Sequence, residues 1–178
     1  MAGIGRRGFL PILATPVLAA CGFRPVYGPG ASGQDSPAAT ALAKISVGLI
    51  PERTGQELRL ALQERFERAG IAAAHEYDLS VSFAITDDTL AIQQDTTATW
   101  IRVTGTANYR LVSQDPSRTT LTSGVARSVD GYNLFDQQFF AQDLENDAVN
   151  KRVALAVADQ IALQLASYFA KQAPRQTG

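Results

Sequence analysis

Residue types that carry nucleophilic or acid–base chemistry are scarce in this chain. It has one cysteine, Cys21, and one histidine, His75. A Ser–His–Asp or Cys–His system would have to use His75, which lies in a short polar stretch typical of an exposed loop. Asp87 and Asp88 are adjacent in a strand pattern, so their side chains point to opposite faces and make poor acid–base partners. The sequence therefore predicts a protein that is not an enzyme.

Metal and nucleotide sites have no better support. A metal site would need carboxylates at ligand spacing beside the one histidine, and no such spacing occurs. The stretch GPGASG, residues 28–33, fits the pattern G-x-G-x-x-G. No strand precedes it, no helix clearly opens from it, and Pro29 removes a backbone N–H from the loop. We therefore expect neither a metal nor a cofactor.

Cys21 has the surroundings of a processing site. Two arginines precede an uncharged run, residues 8–20, which ends in two alanines directly before the cysteine. A positive start, a short apolar run and small residues at its end are typical of a secretory signal peptide. The run is shorter than the roughly 20 apolar residues that span a bilayer. The sequence thus predicts a signal peptide over residues 1–20.

The stretch LAAC, residues 18–21, resembles the lipobox of bacterial lipoprotein signal peptides. In that family the cysteine thiol receives a diacylglyceryl group, and the new amino terminus is acylated after cleavage. The resemblance implies that Cys21 is the lipidation site and that its acyl chains, such as palmitate, anchor the protein to a membrane. The residue after the cysteine is Gly22. An aspartate at this position would resemble an inner-membrane retention signal, so the glycine favours an outer-membrane destination. Export by the Sec or the twin-arginine route stays open.

Length and charge bound the remaining chain. Beyond residue 20 there are 158 residues, which suits one domain. They carry 14 basic and 17 acidic side chains, so bulk charge argues against a nucleic-acid partner. The hydrophobic fraction of the whole sequence, 46%, is enough for a packed core.

Hydrophobic periodicity divides the chain into a tether, one domain over residues 41–173 and a tail. The tether follows the cysteine over 21–40 and the flexible tail covers 174–178. The predicted strands and helices, in chain order, are a strand at 44–50, a helix at 54–69, strands at 77–85, 100–112 and 119–129, and a helix at about 142–172. The order β-α-β-β-β-α predicts an α/β (α+β) two-layer sandwich, with two helices on one face of a four-stranded mixed sheet.

Two local features refine this prediction. Thr54 and Glu57 have the spacing of a capping box at the start of the first helix. In the last strand, Leu121, Val125 and Val129 are the apolar residues expected to face the core, and the chain is expected to turn at residues 130–133.

Arginines lie among the polar residues of the predicted sheet. Arg102 and Arg110 alternate with apolar residues along the strand 100–112, and Arg127 lies in the next strand. A face with these side chains can hold an anionic ligand, but an ordinary solvated surface is the preferred interpretation from the sequence.

CGFRPVYG, residues 21–28, closely resembles the start of the LptE family of lipopolysaccharide-assembly lipoproteins. Two further segments are similar in sequence to that family and occur in the same order. They are LAIQQDTTATWIRVTGTANYRLV, residues 90–112, and the segment from DGYNLF to SYFA, residues 130–170. The resemblance covers most of residues 21–170. It implies the same two-layer sandwich as the periodicity does.

The resemblance also implies a function. An LptE-like protein would sit inside the outer-membrane β-barrel LptD, help it assemble, plug it, and take part in inserting lipopolysaccharide into the outer leaflet. Lipopolysaccharide would be held by basic residues near strand ends, and by position these are Arg102, Arg110 and Arg118. Two other functions stay open, an accessory lipoprotein of an ABC-type lipid transporter and a periplasmic hydrolase.

Overall fold

One sheet, covered on one face by helices, accounts for the part of the chain that the computed structural model describes. Its described residues are 36–68, 74–89, 99–134 and 139–173. Within them the elements are α1 (Pro37–Ala43), β1 (Ile45–Val47), α2 (Arg53–Arg68), β2 (Tyr77–Thr89), β3 (Thr99–Ser113), β4 (Thr120–Leu134) and α3 (Phe139–Gln172).

The sheet has the order β1-β2-β3-β4 and is mixed. β1 runs parallel to β2, as the crossover through α2 requires, and the other two pairs are antiparallel. The predicted fold class, a two-layer α+β sandwich with a four-stranded mixed sheet, is confirmed. The predicted alternation in β2 and β3 is also confirmed, because Leu79, Val81, Ala107, Tyr109 and Leu111 lie in the core.

A third helix, α1, was missed by the sequence prediction. Residues 37–40, predicted as the end of the tether, form its first turn. Ser36 is the N-cap and accepts a hydrogen bond from the backbone N–H of Ala39 at 3.1 Å, and Pro37 occupies the first helical position. Leu42 on this helix is fully buried. The Ser, Pro and Ala composition of residues 36–43 is typical of a linker. The same residue types also begin a helix here, with Ser36 as the cap and Pro37 as the first helical residue.

The predicted capping box of α2 is wrong. The helix begins at Arg53, one residue before the proposed cap Thr54. Glu52 takes a positive φ of 67°, and its carbonyl accepts from the N–H of Gln56 at 3.0 Å. One carboxylate oxygen of Glu57 is instead buried with no hydrogen-bond partner among the described residues. The predicted apolar face of the helix is confirmed at Leu58, Ala61, Leu62 and Phe66, while Ala69 lies outside the described residues.

The prediction for β4 was wrong in its end and, for two of its three apolar residues, in its buried face, while Leu121 is half-buried against the main core cluster. The strand continues through the expected turn at 130–133, where Tyr132 pairs with Ile101 of β3. Val125 and Val129 are 56% and 52% exposed. The buried side chains of this strand are Ala126 and Tyr132.

Close packing of α3 explains the reversed face of β4. A Cβ added at Gly105 of β3 would lie 2.4 Å from Cγ1 of Val153, so the helix approaches the sheet too closely for larger side chains. The residues of β4 on the helix side are accordingly small or polar over most of the strand: Thr122, Gly124, Ala126, Ser128 and Asp130. The valines of β4 therefore lie on the outer face, because the helix leaves no room for them on the core side.

α3 is the central core helix. It has 34 residues, and by length and composition alone it is long and apolar enough to cross a membrane. Its apolar stripe is nevertheless buried in the domain, as predicted for Val149, Val153, Val157, Ile161, Leu165 and Phe169. The stripe packs against the sheet and the other helices, which satisfies it within the protein.

An ion pair joins α3 to β4 and should make stability depend on pH. Burial raises the pKa of Asp130, but hydrogen bonds from Arg152 at 2.7 Å and from the Gly131 N–H at 2.8 Å outweigh it and leave the pKa lowered. A carboxylate with a lowered pKa stabilises the fold above its unfolded pKa of about 3.9, and this contribution is lost as the pH falls.

We expect Asp130→Asn to lower the free energy of unfolding at pH 7 by about 1 kcal/mol and to flatten its decline below about pH 4. Denaturant titrations between pH 3 and pH 7 measure both effects. Asp143→Asn is the control, because Asp143 is exposed and makes no ion pair with a described residue. An equal change in both variants would contradict the assignment.

Candidate ligand-binding face

The sheet has an outer face, opposite the helices. It carries the even-numbered residues of β2 and β3 and the odd-numbered residues of β4, as the strand pairing dictates. Its exposed side chains over the middle of the sheet are mostly polar, Ser80, Ser82, Asn108, Arg110, Ser123 and Arg127, and they include two valines of β4, Val125 and Val129. This is the polar half of the alternation that buries the other half in the core.

A shallow depression crosses this outer face. It is lined by backbone and side chains of three neighbouring strands: Ser80, Val81, Ser82, Asn108, Tyr109, Arg110, Ser123, Gly124 and Val125. Hydroxyl, amide and guanidinium groups are hydrogen-bonding groups that suit sugar hydroxyls and phosphate oxygens. No group of three or more His, Cys, Asp or Glu side chains able to hold a metal occurs in the described part of the chain. The depression is thus suited to binding a polar ligand.

Two of the three predicted ligand arginines already have carboxylate partners. Arg118 lies in the β3–β4 turn with a positive φ of 45°, and its guanidinium is 3.1 Å from the carboxylate of Asp78. The Nε atom of Arg102 is 3.8 Å from the carboxylate of Asp88. Both pairs are partly exposed, so each holds its arginine only weakly.

Arg110 is different, because its guanidinium makes no ion pair with any described residue. It is exposed at the rim of the depression, and its backbone carbonyl accepts a hydrogen bond from the Ser80 hydroxyl at 3.3 Å. Of the three predicted residues, Arg110 is therefore best placed to bind an anion. The ligand role of all three stays a prediction.

Arg127 extends the positive charge along the same face. It pairs with Thr106 of β3, which lies midway between Arg102 and Arg110. At about 3.4 Å per residue, the three arginines are spaced at intervals of roughly 13 Å along the sheet. The Arg127 guanidinium, like that of Arg110, makes no ion pair with a described residue. An elongated ligand with more than one anionic group fits this spacing.

Side chains of α3 support the face from the β4 edge. Gln160 accepts a hydrogen bond from the Arg127 N–H at 3.0 Å, and Gln164 donates to the Val125 carbonyl at 3.2 Å. The Tyr109 hydroxyl also donates to Gln164, at 2.7 Å, and burial raises the pKa of Tyr109. The sequence did not predict a role for either glutamine. Both lie off the apolar stripe of α3, so the helical pattern indicates only that they face solvent.

Cys21, the predicted lipidation site, lies outside the described residues. Its role is therefore a prediction from the sequence.

Comparison with known proteins gives the family. The model of the LptE lipopolysaccharide-assembly family matches residues 42–165, more than half of the chain. This match begins after the start motif at residues 21–28, so it is independent of that motif and of the lipobox. No curated protein sequence matches the chain.

Solved structures of bacterial lipoproteins share the fold. A lipoprotein from Caulobacter crescentus CB15 is 21% identical with a TM-score of 0.60, covering 78% of this chain and 99% of its own. A minor lipoprotein from Acinetobacter baumannii is 14% identical with a TM-score of 0.56, covering 69% of this chain and 90% of its own. The rare lipoprotein B from Shewanella oneidensis is 14% identical with a TM-score of 0.54, covering 72% and 97%. With the family match over the helices and strands that build the outer face, these findings show that the chain belongs to the LptE family of non-enzymatic, envelope-associated lipopolysaccharide-assembly lipoproteins.

Proposed function

We propose that this protein is an outer-membrane lipoprotein that binds and plugs the LptD β-barrel, helps that barrel assemble, and takes part in lipopolysaccharide transport and insertion into the outer leaflet. Family membership supports this proposal over the whole sandwich domain. The polar outer face supports it physically, because the interior of an outer-membrane barrel is polar and a plug must present polar groups to it.

The observation that carries the lipopolysaccharide part is Arg110, which makes no ion pair with a described residue and lies beside a depression whose lining includes hydroxyl and amide groups. Lipopolysaccharide offers sugar hydroxyls and the phosphates of lipid A. A guanidinium donates two parallel hydrogen bonds to a phosphate, which gives both affinity and orientation. Arg127 and the loosely paired Arg102 stand further along the same face and provide additional contacts for a second anionic group.

We expect Arg110→Ala to weaken lipopolysaccharide binding about tenfold, because one charge-assisted hydrogen-bonding group is lost. The measurement is a binding titration of the full-length protein on a lipopolysaccharide-coated surface. Arg68→Ala is the charge control, since Arg68 is exposed on α2, in the helix layer, and its removal changes the net charge equally while breaking only an exposed ion pair with Glu64. Equal losses for the two variants would mean that bulk charge drives binding, and no loss for Arg110→Ala would exclude the depression as the site.

The anchor is proposed from the sequence. Residues 1–20 are removed, Cys21 carries the acyl chains, and the residues from 21 to the start of α1 connect the membrane to the domain. Several acyl chains, at about 0.8 kcal/mol per buried CH₂, hold a protein of this size firmly on the periplasmic side of the outer membrane.

A further inference from the structure

One edge of the sheet is long and unpartnered. β2 has 13 residues, but β1 pairs with only the first three of them, Tyr77–Leu79. The last contact is the Gly48 N–H, which donates to the Leu79 carbonyl at 2.9 Å. Beyond it, no strand lies beside β2 on that side among the described residues. The chain leaves β1 at this point and turns into α2.

The backbone groups at this edge follow from the pairing. The Leu79 carbonyl points towards β1, so the N–H and C=O groups of every second residue after it point the same way. The first of these residues is Val81. The others, Phe83, Ile85, Asp87 and Thr89, lie in the half of β2 that is farther from β1. The intervening residues point to β3 and complete that ladder without a register shift. The edge thus presents a regular row of donors and acceptors.

Some outward backbone groups of the edge strands β4 and β1 are bonded to side chains. Gln160 and Gln164 of α3 occupy the outward N–H of Arg127 and the outward C=O of Val125 on β4. On β1, the Arg59 side chain donates to the Val47 carbonyl at 3.4 Å. No described side chain makes such a hydrogen bond with the backbone edge over residues 83–89. Side chains thus satisfy some outward backbone groups of β4 and β1, and none over residues 83–89 of β2 among the described residues.

Asp87 and Asp88 are the charged residues of the open edge, and the other usual protections against pairing are absent from residues 83–89. Residues 83–89 contain no proline and no lysine, and β2 has no bulge. On the core side, Phe83 and Ile85 are only half-buried, so part of their apolar surface is left uncovered. On the outer face, Ala84 and Thr86 are small and exposed, which leaves room for a neighbouring strand.

We propose that this edge of β2, Phe83–Thr89, accepts one extended strand of a partner protein. The strand adds to the sheet by main-chain hydrogen bonds, which is the recognition mode called β-augmentation. Its apolar side chains lie beside Phe83 and Ile85. Its basic residue lies on the core-side face beside the exposed carboxylate of Asp87, which makes no ion pair with a described residue. Asp88 points to the outer face, 3.8 Å from Arg102. The proposal concerns the edge alone and does not depend on the ligand or barrel assigned above.

Peptide binding to the full-length lipidated protein in detergent micelles tests the proposal. The probe is a peptide of alternating valine and threonine with a lysine at each end. Amide hydrogen exchange is read residue by residue by NMR. We expect the peptide to slow exchange of the Phe83, Ile85 and Asp87 amides at least tenfold. The Ala84 and Thr86 amides, bonded to β3, should be protected with and without peptide.

Two control peptides and two variants make the result specific. A peptide with glutamates in place of the lysines should bind at least fivefold more weakly, and one with alternate backbone nitrogens methylated should not bind. Asp87→Pro removes an outward N–H and leaves the β3 ladder intact, so it should abolish protection at Phe83 and Ile85 without changing the unfolding midpoint. Asp87→Asn should retain peptide binding and weaken the preference for lysine.

Three results would overturn the proposal. The first is no protection of the edge amides by any peptide up to millimolar concentration. The second is protection without peptide that rises with protein concentration, which would mean that a second copy occupies the edge. The third is protection without peptide at every protein concentration, which would mean that the chain covers its own edge.

Discussion

Cys21→Ser should abolish acylation of the protein and remove it from the outer-membrane fraction. A serine hydroxyl does not take the diacylglyceryl thioether, so the chain is neither acylated nor cleaved at that site. Each acyl chain contributes about 0.8 kcal/mol per buried CH₂, and no other anchor is assigned to the protein. Mass spectrometry of the amino-terminal peptide and density-gradient separation of the two membranes measure the two effects.

Gly22→Ala is the control for Cys21→Ser. It changes the adjacent residue and keeps the thiol, so acylation and outer-membrane location should both be retained. Full acylation of the protein at another residue in Cys21→Ser, or unchanged recovery in the outer membrane, would contradict the lipobox interpretation. Loss in both variants would show only that the segment around the cleavage site is sensitive to substitution, and would remove the support for an anchor at Cys21.

Leu165→Ala should cost about 3 kcal/mol of unfolding free energy, within the range for a fully buried leucine. Leu165 lies on the buried stripe of α3 with no exposed surface, in the main core cluster. Truncation leaves a cavity in a layer where α3 is packed tightly enough against β3 to require glycine at residue 105. Denaturant titration of the full-length protein measures the loss as a lower midpoint at an unchanged slope.

Leu163→Ala is a matched control on the same helix. Leu163 is 56% exposed, so the same chemical change should alter stability by less than about 0.5 kcal/mol. Similar losses for the two variants would contradict the packing of α3 on the sheet. A large loss for Leu163→Ala alone would mean that the stripe on the opposite side of α3 is the buried one.

Elements with strong periodicity were predictable from the sequence. β2 and β3 alternate cleanly because one face meets the helices and the other meets solvent, and the stripe of α3 repeats over more than five turns. α1 was not predictable in the same way, because seven residues rich in alanine carry too little periodic signal. β4 misled the prediction because its core side is closely packed, at Gly124 by the Tyr109 ring, so Gly124 and Ala126, not Val125, lie there.

The positions of the candidate ligand arginines in the sheet were predictable from the sequence, but their carboxylate partners were not. Alternation placed Arg102 and Arg110 on the polar face of the sheet, and the structure places both there. Whether each arginine has a carboxylate partner depends on strand register and turn conformation. Arg102 meets Asp88 because those residues are paired across β2 and β3, and Arg118 reaches Asp78 from the following turn. Neither contact has a signature in the sequence, so Arg110 could be singled out only from the structure.

The most direct test of the proposed function is the identity of the partner. The full-length lipoprotein with a C-terminal tag is purified from detergent-solubilised outer membrane, and the recovered proteins are quantified. We expect to recover a large β-barrel, LptD, in nearly equimolar amount with the lipoprotein. Recovery of an inner-membrane transporter instead, or of no barrel at all, would contradict the proposed function.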